Sequence, residues 1–408
     1  MKTLTYIVLL SFVFISCSNI IELEEPEFLD GSILAETEPL SNNVKNNLEG
    51  VYKIVSGNNI FGKQVVLKWY GNTLSVFGDT MGTYLKLNAG QKDSTFFFEG
   101  TWRHFVSTNN GLVRLFINKE DGAGNLFNNS LSAGAIKLSG SFGDSDNPLD
   151  KNIVLEYLRP ISKETSAKNF YILAHRGGGR NSDYLGASEN SLEIISLAEE
   201  LGANGIEIDI KLSKDNIPFL YHDKTINLRL TQESPIWGSI EDFSFSQIRT
   251  FVRLKNGERI PSFEEALEFV LYKTNLKFVW LDMKSEKNEM AEVIKVQQRI
   301  LQEASQIGRE LEIMVGLPDD GKAENFMKYP EFENVPSLCE LSKDITRKSN
   351  SQVWAPRWTL GTQIESVTQM QNEGRKVFTW TLDDAQFISK FIKESKFDGI
   401  LTNYPTIV

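Results

Sequence analysis

Cysteine and histidine are both scarce in this chain of 408 residues, which contains two cysteines and three histidines. Cys17 closes a short apolar segment at the amino terminus, so Cys339 is the one cysteine left for the folded protein. A single cysteine cannot form an internal disulfide framework, and we expect Cys339 to be buried and inert. The net charge of −11 excludes nucleic-acid binding through a basic surface.

The amino terminus reads as an export signal over residues 1–17. Lys2 precedes an apolar run from Leu4 to Ile15, which is too short to span a membrane. The Phe-Ile-Ser-Cys ending resembles the lipobox of bacterial lipoproteins, which implies that Cys17 is lipidated. We therefore expect a lipid-anchored protein of the bacterial cell envelope, facing the periplasm or the outer surface. An ordinary cleaved signal with an incidental cysteine is the alternative.

Residues 46–160 contain short alternating apolar runs separated by Gly, Asn and Asp clusters. This pattern predicts an antiparallel all-β domain, either a sandwich or a small barrel, and we favour a closed lipocalin-like meander. Before it, residues 18–45 are rich in Glu, Pro and Asn and predict an acidic, solvated tether. If exposed, Trp69 and Trp102 would suit a sugar or lipid headgroup, although packing into the core is the favoured interpretation.

Residues 168–408 alternate between strand-like and helix-like segments. Such alternation over about 240 residues is typical of an α/β fold of the TIM-barrel, (β/α)₈, type. The segment contains nine strand candidates, one more than this barrel needs, and Pro336–Leu341 is the weakest of them. We expect one candidate to be a loop.

Two carboxylates stand on one face of an apolar strand candidate, since Glu207 and Asp209 are two residues apart. Adjacent carboxylates in apolar surroundings repel each other and resist desolvation unless a cation lies between them. Oxygen ligands favour Ca²⁺ or Mg²⁺. The sequence therefore predicts a divalent-metal site, with a polar strand face open to water as the alternative.

Two of the three histidines, His175 and His222, each follow a short apolar run. In parallel α/β folds the carboxyl ends of strands carry the active site, so this pair predicts general acid–base chemistry. Arg176 adds a fixed positive charge that suits a phosphate or a carboxylate. Asn190 followed by Glu193 also reads as a helix amino-terminal cap with its reciprocal partner, so Glu189 and Asn190 are either structural or catalytic.

Taken together, these motifs resemble the glycerophosphodiester phosphodiesterase family over about residues 170–408. The resemblance is carried by the following motifs, in this order: His175-Arg-Gly, Glu189-Asn-Ser, Glu207-x-Asp209, His222-Asp223, Trp280-Leu-Asp282-Met-Lys284 and Phe378-Thr-Trp380. It implies metal-dependent hydrolysis of a small glycerophosphodiester to glycerol 3-phosphate and an alcohol.

The resemblance also implies a role for each site residue. Glu207, Asp209 and Asp282 would hold a divalent metal, with Ca²⁺ expected and Mg²⁺ as the alternative. His175 and His222 would be the general base and general acid, in an order that the sequence leaves open. The phosphate and the rest of the substrate would contact three further side chains, namely Arg176, Lys284 and Trp380.

Asp282 departs from the family pattern, which carries Glu at this position. Aspartate keeps the carboxylate but withdraws its oxygens by roughly 1.5 Å, about one carbon–carbon bond. This difference would change the metal preference or leave a water in the gap. Two other functions stay open: a phospholipase of the related barrel type that acts on lysophospholipids or phosphoinositides, and a surface binding lipoprotein whose barrel is inactive.

Overall fold

A computed structural model describes residues 26–408 except 81, 108, 129–130, 146 and 165–168. The predicted export signal and Cys17 lie outside these residues. The described chain forms two domains, a closed antiparallel β-barrel followed by a barrel of parallel strands with helices around it. Within the described ranges, no helix is long and apolar enough to cross a membrane.

The amino-terminal domain is an eight-stranded meander in which each strand pairs with the next and the eighth pairs with the first. Its strands are β1 (Gly50–Ser56), β2 (Gln64–Tyr70), β3 (Thr73–Gly78), β4 (Thr83–Lys92), β5 (Thr95–His104), β6 (Asn110–Ile117), β7 (Lys137–Phe142) and β8 (Lys151–Arg159). Helix α2 (Asn58–Phe61) follows β1. The predicted all-β domain is confirmed, and of the two architectures considered it adopts the closed barrel.

The tryptophans of this barrel are engaged in packing. Trp102 is buried and donates its indole N–H to the carbonyl of Gly143 at 2.9 Å. Trp69 is half-buried, and the Lys45 ammonium lies 4.9 Å from the centre of its ring. The favoured interpretation, packing into the core, is therefore confirmed for Trp102, and the headgroup alternative is excluded for it because alternate β5 side chains point into the barrel interior.

The segment before β1 packs against the barrel instead of extending into solvent. Arg114 on β6 pairs with Asp30 at 2.6 Å and with Glu99 at 3.3 Å. Helix α1 (Asn42–Leu48) is capped by Ser41 and buries Val44 and Leu48. Residues 18–25 of the solvated tether that we expected over residues 18–45 lie outside the described residues, and the tether is packed from Asp30 onward. The reason is that a buried arginine on the barrel wall needs carboxylate partners.

The carboxy-terminal domain is the predicted TIM barrel, and its eight parallel strands close through the pairing of β9 with both β10 and β19. The strands are β9 (Tyr171–Ala174), β10 (Gly205–Leu212), β14 (Phe278–Met283), β15 (Glu312–Leu317), β16 (Ser337–Cys339), β17 (Val353–Trp354), β18 (Lys376–Thr379) and β19 (Gly399–Thr402). Cys339 is free and buried in β16, as expected.

Helices follow most of these strands. They are α3 (Leu192–Leu197), α4 (Phe245–Phe251), α5 (Phe263–Lys273), α6 (Met290–Gln306), α7 (Asp320–Met327), α8 (Lys343–Lys348), α9 (Ile364–Asn372) and α10 (Ala385–Glu394). A two-stranded ribbon of β12 (Thr225–Ile226) and β13 (Gly238–Ser239) precedes α4.

The ninth strand candidate is a strand and not the loop that we expected. It is β11 (Pro218–Leu220), which runs antiparallel to β10 outside the ring of parallel strands. The weakest candidate, Pro336–Leu341, contains β16, a member of the barrel. Hydrophobicity marks a strand but not its direction, so the sequence pattern could not show which candidate was supernumerary.

The interior of the TIM barrel changes from apolar to acidic along its axis. Phe278 and Trp280 of β14 belong to the apolar core inside the ring. Ile206 and Ile208 of β10 face the opposite way and pack in the core beneath the helices. Successive side chains on a strand point to opposite faces, so Glu207, which lies between these isoleucines, points into the barrel.

Candidate active site

Three carboxylates meet inside the barrel at the register where β10 lies beside β14. Asp209 is the direct neighbour of Asp282 across the two parallel strands, and Glu207 lies two residues before Asp209. Ligand oxygens of all three lie within 4.8 Å of one another. The structure thus brings together the three metal ligands that the resemblance implied.

Each of these carboxylates has one oxygen that is held by a donor. The backbone N–H of Arg176 donates to Oε2 of Glu207 at 2.8 Å, and the Asn190 amide donates to Oδ2 of Asp209 at 2.7 Å. Lys284 pairs with Oδ2 of Asp282 at 2.6 Å. These contacts orient the three side chains.

The second oxygen of each carboxylate is buried and has no hydrogen-bond partner within the described chain; these atoms are Oε1 of Glu207 and the Oδ1 atoms of Asp209 and Asp282. Burial, together with the nearby Asp209 and Asp282, raises the pKa of Glu207 well above its usual range. Three clustered carboxylates, each with an unpartnered buried oxygen, fit a hard divalent cation. These residues could therefore hold the metal that the resemblance implies.

His175 follows β9 directly and faces the acidic cluster. Its Nε2 lies 3.6 Å from Oε2 of Glu207, and its Nδ1 lies 2.7 Å from Oδ1 of Asn403. The Asn403 amide nitrogen donates to Asp383 at 2.6 Å, so Oδ1 is the acceptor and Nδ1 of His175 carries the proton. Burial and the charge of Arg176 lower the pKa of His175 to about 4. The imidazole is therefore neutral, with its free nitrogen toward the carboxylates.

His222 approaches the acidic cluster from the end of β11, the strand outside the ring of parallel strands. Backbone pairing of Tyr221 with Asp209 brings the end of β11 back beside β10. The Nδ1 atom of His222 lies 2.7 Å from Oδ1 of Asp223. Asp223 also accepts hydrogen bonds from Arg229 at 2.6 and 3.0 Å. His222 thus has a carboxylate partner where His175 has an amide.

Arg176 is oriented by the loop that follows it. Its guanidinium donates to Oε1 of Glu189 at 2.7 Å, and its Nε lies 3.9 Å from Oδ2 of Asp209. Glu189 is buried and also binds Arg229. Arg176 has a left-handed backbone with φ of 55°, the turn in which its N–H reaches Glu207.

Glu189 and Asn190, whose role the sequence left open, both contact the site residues. The helix-capping interpretation of Asn190 is wrong, because Ser191 caps α3 by accepting from the N–H of Ile194. The Asn190 side chain instead bonds Asp209 twice, through its amide N–H at 2.7 Å and through its Oδ1 to the backbone N–H at 3.0 Å.

The two remaining predicted substrate contacts, Lys284 and Trp380, are both engaged with other side chains or backbone groups of the protein. Lys284 is held by Asp282, as described above, and Trp380 is half-buried on β18's side of the mouth. The Trp380 indole donates to the carbonyl of Ala355 at 2.7 Å, and the Arg357 guanidinium stacks 4.9 Å from its ring centre. Trp380 lines a surface pocket together with Glu340.

Sequence reasoning missed four residues of the site: Arg229, Glu340, Asp383 and Asn403. Burial and the charge of Asp282 raise the pKa of Glu340 well above its usual range, and its Oε1 has no partner in the described part of the chain. Asn403 closes the segment Asp398-Gly-Ile-Leu-Thr-Asn403, which also agrees with the family pattern, so here the sequence does carry a signal. Arg229 lies six residues after Asp223 and Asp383 lies three residues after Trp380, but no local pattern identifies them or Glu340 as site residues.

Comparison with known proteins gives a family for this arrangement. The model of the glycerophosphoryl diester phosphodiesterase family matches residues 175–407. A glycerophosphodiester phosphodiesterase of Caldanaerobacter subterraneus is 25% identical over 243 residues, which cover 57% of this chain and 94% of that protein. Human glycerophosphodiester phosphodiesterase 1 is 33% identical over 159 residues, 37% of this chain and 43% of that protein.

Among solved structures, a glycerophosphodiester phosphodiesterase from Parabacteroides distasonis superposes with a TM-score of 0.47 at 20% identity. The match covers 58% of this chain and 94% of that one. The family model matches more than half of the chain, over the residues that build the site. The chain therefore belongs to the glycerophosphoryl diester phosphodiesterase family and is a phosphoric diester hydrolase.

Proposed function

We propose that the protein hydrolyses small glycerophosphodiesters to glycerol 3-phosphate and an alcohol in a metal-dependent reaction. The observation that carries this proposal is the cluster of Glu207, Asp209 and Asp282, each with one buried oxygen free, flanked by His175 and His222. A phosphate diester needs a cationic cradle and two proton-transfer groups, and this site contains the residues for both.

The three carboxylates are the ligands that we propose for a divalent ion. The oxygen ligands suit both Ca²⁺ and Mg²⁺, and we favour Ca²⁺ because the resemblance to the family implies it, with Mg²⁺ as the alternative. When bound, the ion supplies positive charge that stabilises the developing charge on the phosphate oxygens. Asp282, which is one methylene shorter than the glutamate of the family pattern, pairs with the Lys284 ammonium at 2.6 Å. The protein thus provides a positive charge beside this ligand.

The Nε2 atoms of His175 and His222 are the atoms that can transfer protons, because the Nδ1 atom of each ring is already hydrogen-bonded. We assign His175 as the general base, since its amide partner leaves the ring neutral and its Nε2 lone pair free. We assign His222 as the general acid, since Asp223 provides a negative partner for a protonated ring. Arg176, held by Glu189, binds the phosphate.

The bonds balance in either of two routes. A hydroxyl, from water or from the 2-position of the glycerol, loses its proton to His175 and forms a bond to phosphorus. The bond from phosphorus to the leaving alcohol breaks, and that alcohol takes a proton from His222. If the glycerol hydroxyl attacks, water then opens the cyclic phosphate with the two histidines in exchanged roles.

The test is a direct assay on a chain that begins at residue 18, which removes Cys17 but keeps the packed segment from Asp30 onward. Glycerophosphocholine and glycerophosphoethanolamine are supplied with Ca²⁺, with Mg²⁺ or with chelator, and glycerol 3-phosphate is measured. We expect release that needs metal and is lost in His222→Ala. A folded protein that releases nothing under any condition would contradict the proposal and favour the inactive-barrel binding protein.

We further propose that the protein is anchored in the bacterial cell envelope through a lipid on Cys17. The support is the Phe-Ile-Ser-Cys sequence after the apolar run at the amino terminus. We expect the full-length protein expressed in a bacterium to fractionate with membranes and the Cys17→Ser protein to lose its lipid label. Equal labelling of both proteins with a radioactive fatty acid would contradict the anchor.

A second candidate, action on lysophospholipids or phosphoinositides, is favoured by exposed apolar side chains on loops beside the site. Leu228 is 61% exposed and precedes Arg229, which lies 3.4 Å from His222. Trp237 is 83% exposed at the end of the loop that leads from β12 to β13, and Leu360 is 64% exposed in the pocket that Trp380 lines. Apolar groups of this kind suit a membrane surface.

The two candidates differ in substrate and in the effect of one substitution. If lipids are the substrates, lysophosphatidylcholine micelles will be cleaved faster than glycerophosphocholine, and Trp237→Ala will slow cleavage of the micelles only. Tyr272→Ala is the matched control, because Tyr272 is 52% exposed on α5, in the ring of helices outside the barrel. Faster cleavage of glycerophosphocholine by both variants and by the parent would reject the lipid candidate.

A further inference from the structure

Glu189 holds the phosphate-binding arginine, and its own position depends on a turn eight residues before it. The Glu189 carboxylate accepts from Arg176 at 2.7 Å and from the backbone N–H of Asn181 at 3.0 Å. In return, Oδ1 of Asn181 accepts from the backbone N–H of Glu189 at 2.8 Å. The placement of Arg176 is therefore coupled to the 3₁₀ turn Asn181–Asp183.

That turn is held from outside the TIM barrel. Arg103, on β5 of the amino-terminal barrel, donates through its two terminal nitrogens to the backbone carbonyls of Asp183 and Tyr184. Two parallel donors of one planar guanidinium fix both the position and the direction of the peptide that they bind. The Asp183 side chain is already occupied by Arg180 at 2.9 Å, so the carbonyls are the groups left for Arg103.

The same edge of the amino-terminal barrel supports the partner of His175. Phe105 packs edge-on against Tyr404, with ring centres 5.0 Å apart. Tyr404 directly follows Asn403, which orients His175. Tyr404 also accepts a hydrogen bond from Arg180 at 3.0 Å, which links this contact to the turn that Arg103 holds.

We propose that the amino-terminal barrel is a positioning element of the active site and that Arg103 is a positioning residue. Arg103 fixes the turn Asn181–Asp183, the turn fixes Glu189, and Glu189 holds Arg176 in place for the phosphate. The proposal rests on the proposed function to the extent that Arg176 binds the substrate phosphate. It gives the all-β domain a role in catalysis without a ligand site of its own.

The expected effect is partial, because other contacts also hold this loop. Ser188 binds Glu258 through its backbone N–H at 2.8 Å and its hydroxyl at 2.7 Å. The Asn181 amide donates to the carbonyl of Arg229 at 2.8 Å. Loss of one orienting contact behind a site residue typically weakens binding or activity by about tenfold to hundredfold, and the lower end applies here.

The experiment compares Arg103→Met with Lys86→Met in the chain that begins at residue 18. Lys86 is a matched control because it lies on the neighbouring strand β4 and also contacts the TIM barrel. Its partner is Glu200, which follows the carboxyl end of α3, at 2.5 Å. Three quantities are measured with Ca²⁺ present: the Kd for inorganic phosphate, the KM and kcat for glycerophosphoethanolamine, and hydrogen exchange of the amides of residues 178–187.

We expect Arg103→Met to raise the Kd for phosphate and the KM by about tenfold, with a smaller change in kcat, and to speed exchange over residues 178–187. Lys86→Met should match the parent in all three. Arg103→Lys should recover only part of the affinity, because a single ammonium cannot bond both carbonyls in fixed directions. A purely structural role would lower the folded fraction and hence kcat, leaving KM unchanged.

Three outcomes would overturn the proposal. They are unchanged phosphate binding in Arg103→Met, equal losses in Arg103→Met and Lys86→Met, and a fall in kcat alone. Hydrogen exchange and phosphate binding do not require turnover, so they decide the proposal even if no glycerophosphodiester is cleaved. Failure of the substrate assay with a tenfold change in phosphate affinity would reject the proposed substrates and retain the positioning role.

Discussion

The orientation of His175 is decided by side chains that are remote from it in sequence. Asp383 accepts from Asn403 at its side-chain and backbone nitrogens, at 2.6 and 2.8 Å, and from the Thr402 hydroxyl at 3.1 Å. A carboxylate is an acceptor only, so the Asn403 amide must turn its oxygen toward His175. Asp383 therefore fixes which imidazole nitrogen is free for proton transfer.

Asp383→Asn should lower kcat by between about tenfold and hundredfold while leaving the fold intact. An asparagine at this position can donate to Oδ1 of Asn403, which would allow the Asn403 amide to reverse and present its N–H₂ to His175. The histidine would then carry its proton on Nε2 and could not act as a base. Steady-state kinetics with glycerophosphoethanolamine, together with thermal unfolding, measure the two effects.

The adjacent Asp384 provides the control for this substitution. Asp384 caps α10 by accepting from the backbone N–H groups of Gln386 and Phe387, and asparagine caps helices nearly as well. Asp384→Asn should therefore keep both kcat and stability. Equal activity in the Asp383→Asn protein and the parent would show that the amide orientation does not control His175.

Strand β10 carries two of the three carboxylates and is enclosed by three neighbouring strands. Its first residues pair with β9 and β14, while its last residues pair with β11, so every position of the strand is buried. Gly205 begins this strand. A Cβ atom at Gly205 would lie 2.5 Å from a Leu173 methyl and 2.9 Å from both the Phe278 Cβ and its carbonyl oxygen.

Gly205→Ala should therefore destabilise the TIM barrel by about 1–3 kcal/mol, the usual cost of an overpacked core. Backbone atoms on β14 leave no direction in which the added methyl can be accommodated without moving a strand. Urea unfolding followed by the fluorescence of Trp280 and the other tryptophans would measure this loss.

The control is Gly124→Ala in the 3₁₀ turn Ala123–Phe127, where an added Cβ meets nothing within 4 Å. This substitution should leave the unfolding midpoint where it is. A Gly205→Ala protein as stable as the Gly124→Ala protein would mean that β10 can shift away from β9, contrary to the close fit described.

The TIM barrel buries three carboxylates in one cluster. A cation that neutralises their charge should therefore raise the stability of the folded protein. In the metal-free protein, burial and the neighbouring carboxylates raise the pKa of Glu207 well above its ordinary value, so the folded state binds this proton more tightly than the unfolded chain. The stability that this proton contributes is fully present below the ordinary glutamate range and is lost as pH rises through the raised pKa of Glu207.

Ca²⁺ at about 100 times its Kd should raise the Tm of the TIM barrel by roughly 5–10 °C. The increase should be larger at pH 8 than at pH 5.5, because the ion replaces the proton on Glu207 and binds better when that proton is absent. Scanning calorimetry with Ca²⁺ or with chelator at the two pH values measures both trends.

Glu207→Gln serves as the control for the metal, since the amide is nearly the same size as the carboxylate but carries no charge. Its Tm should not respond to Ca²⁺, and its metal-free form should be at least as stable as the parent at pH 8, because one buried charge is gone. An equal Ca²⁺ response in this variant would place the ion at another site.

The sequence by itself determined the outline of this protein, because its signals are local and repeat along the chain. Period-two alternation predicts the β-barrel, strand–helix alternation predicts the TIM barrel, and two-residue spacing puts Glu207 and Asp209 on one face. The residues themselves pointed to Glu207, Asp209 and the two histidines, and the resemblance to the family added Asp282 as the third carboxylate that the structure brings together with them.

Only the tertiary structure decided what lies behind those residues. The antiparallel turn of β11 carries His222 back to Asp209, while the Asp383–Asn403–His175 chain and the contact of Arg103 with the turn at Asp183 join segments far apart in sequence. Such contacts depend on strand direction and on how two domains pack. Neither leaves a periodic trace in the sequence, because hydrophobicity records whether a residue is buried and not which residue it will meet.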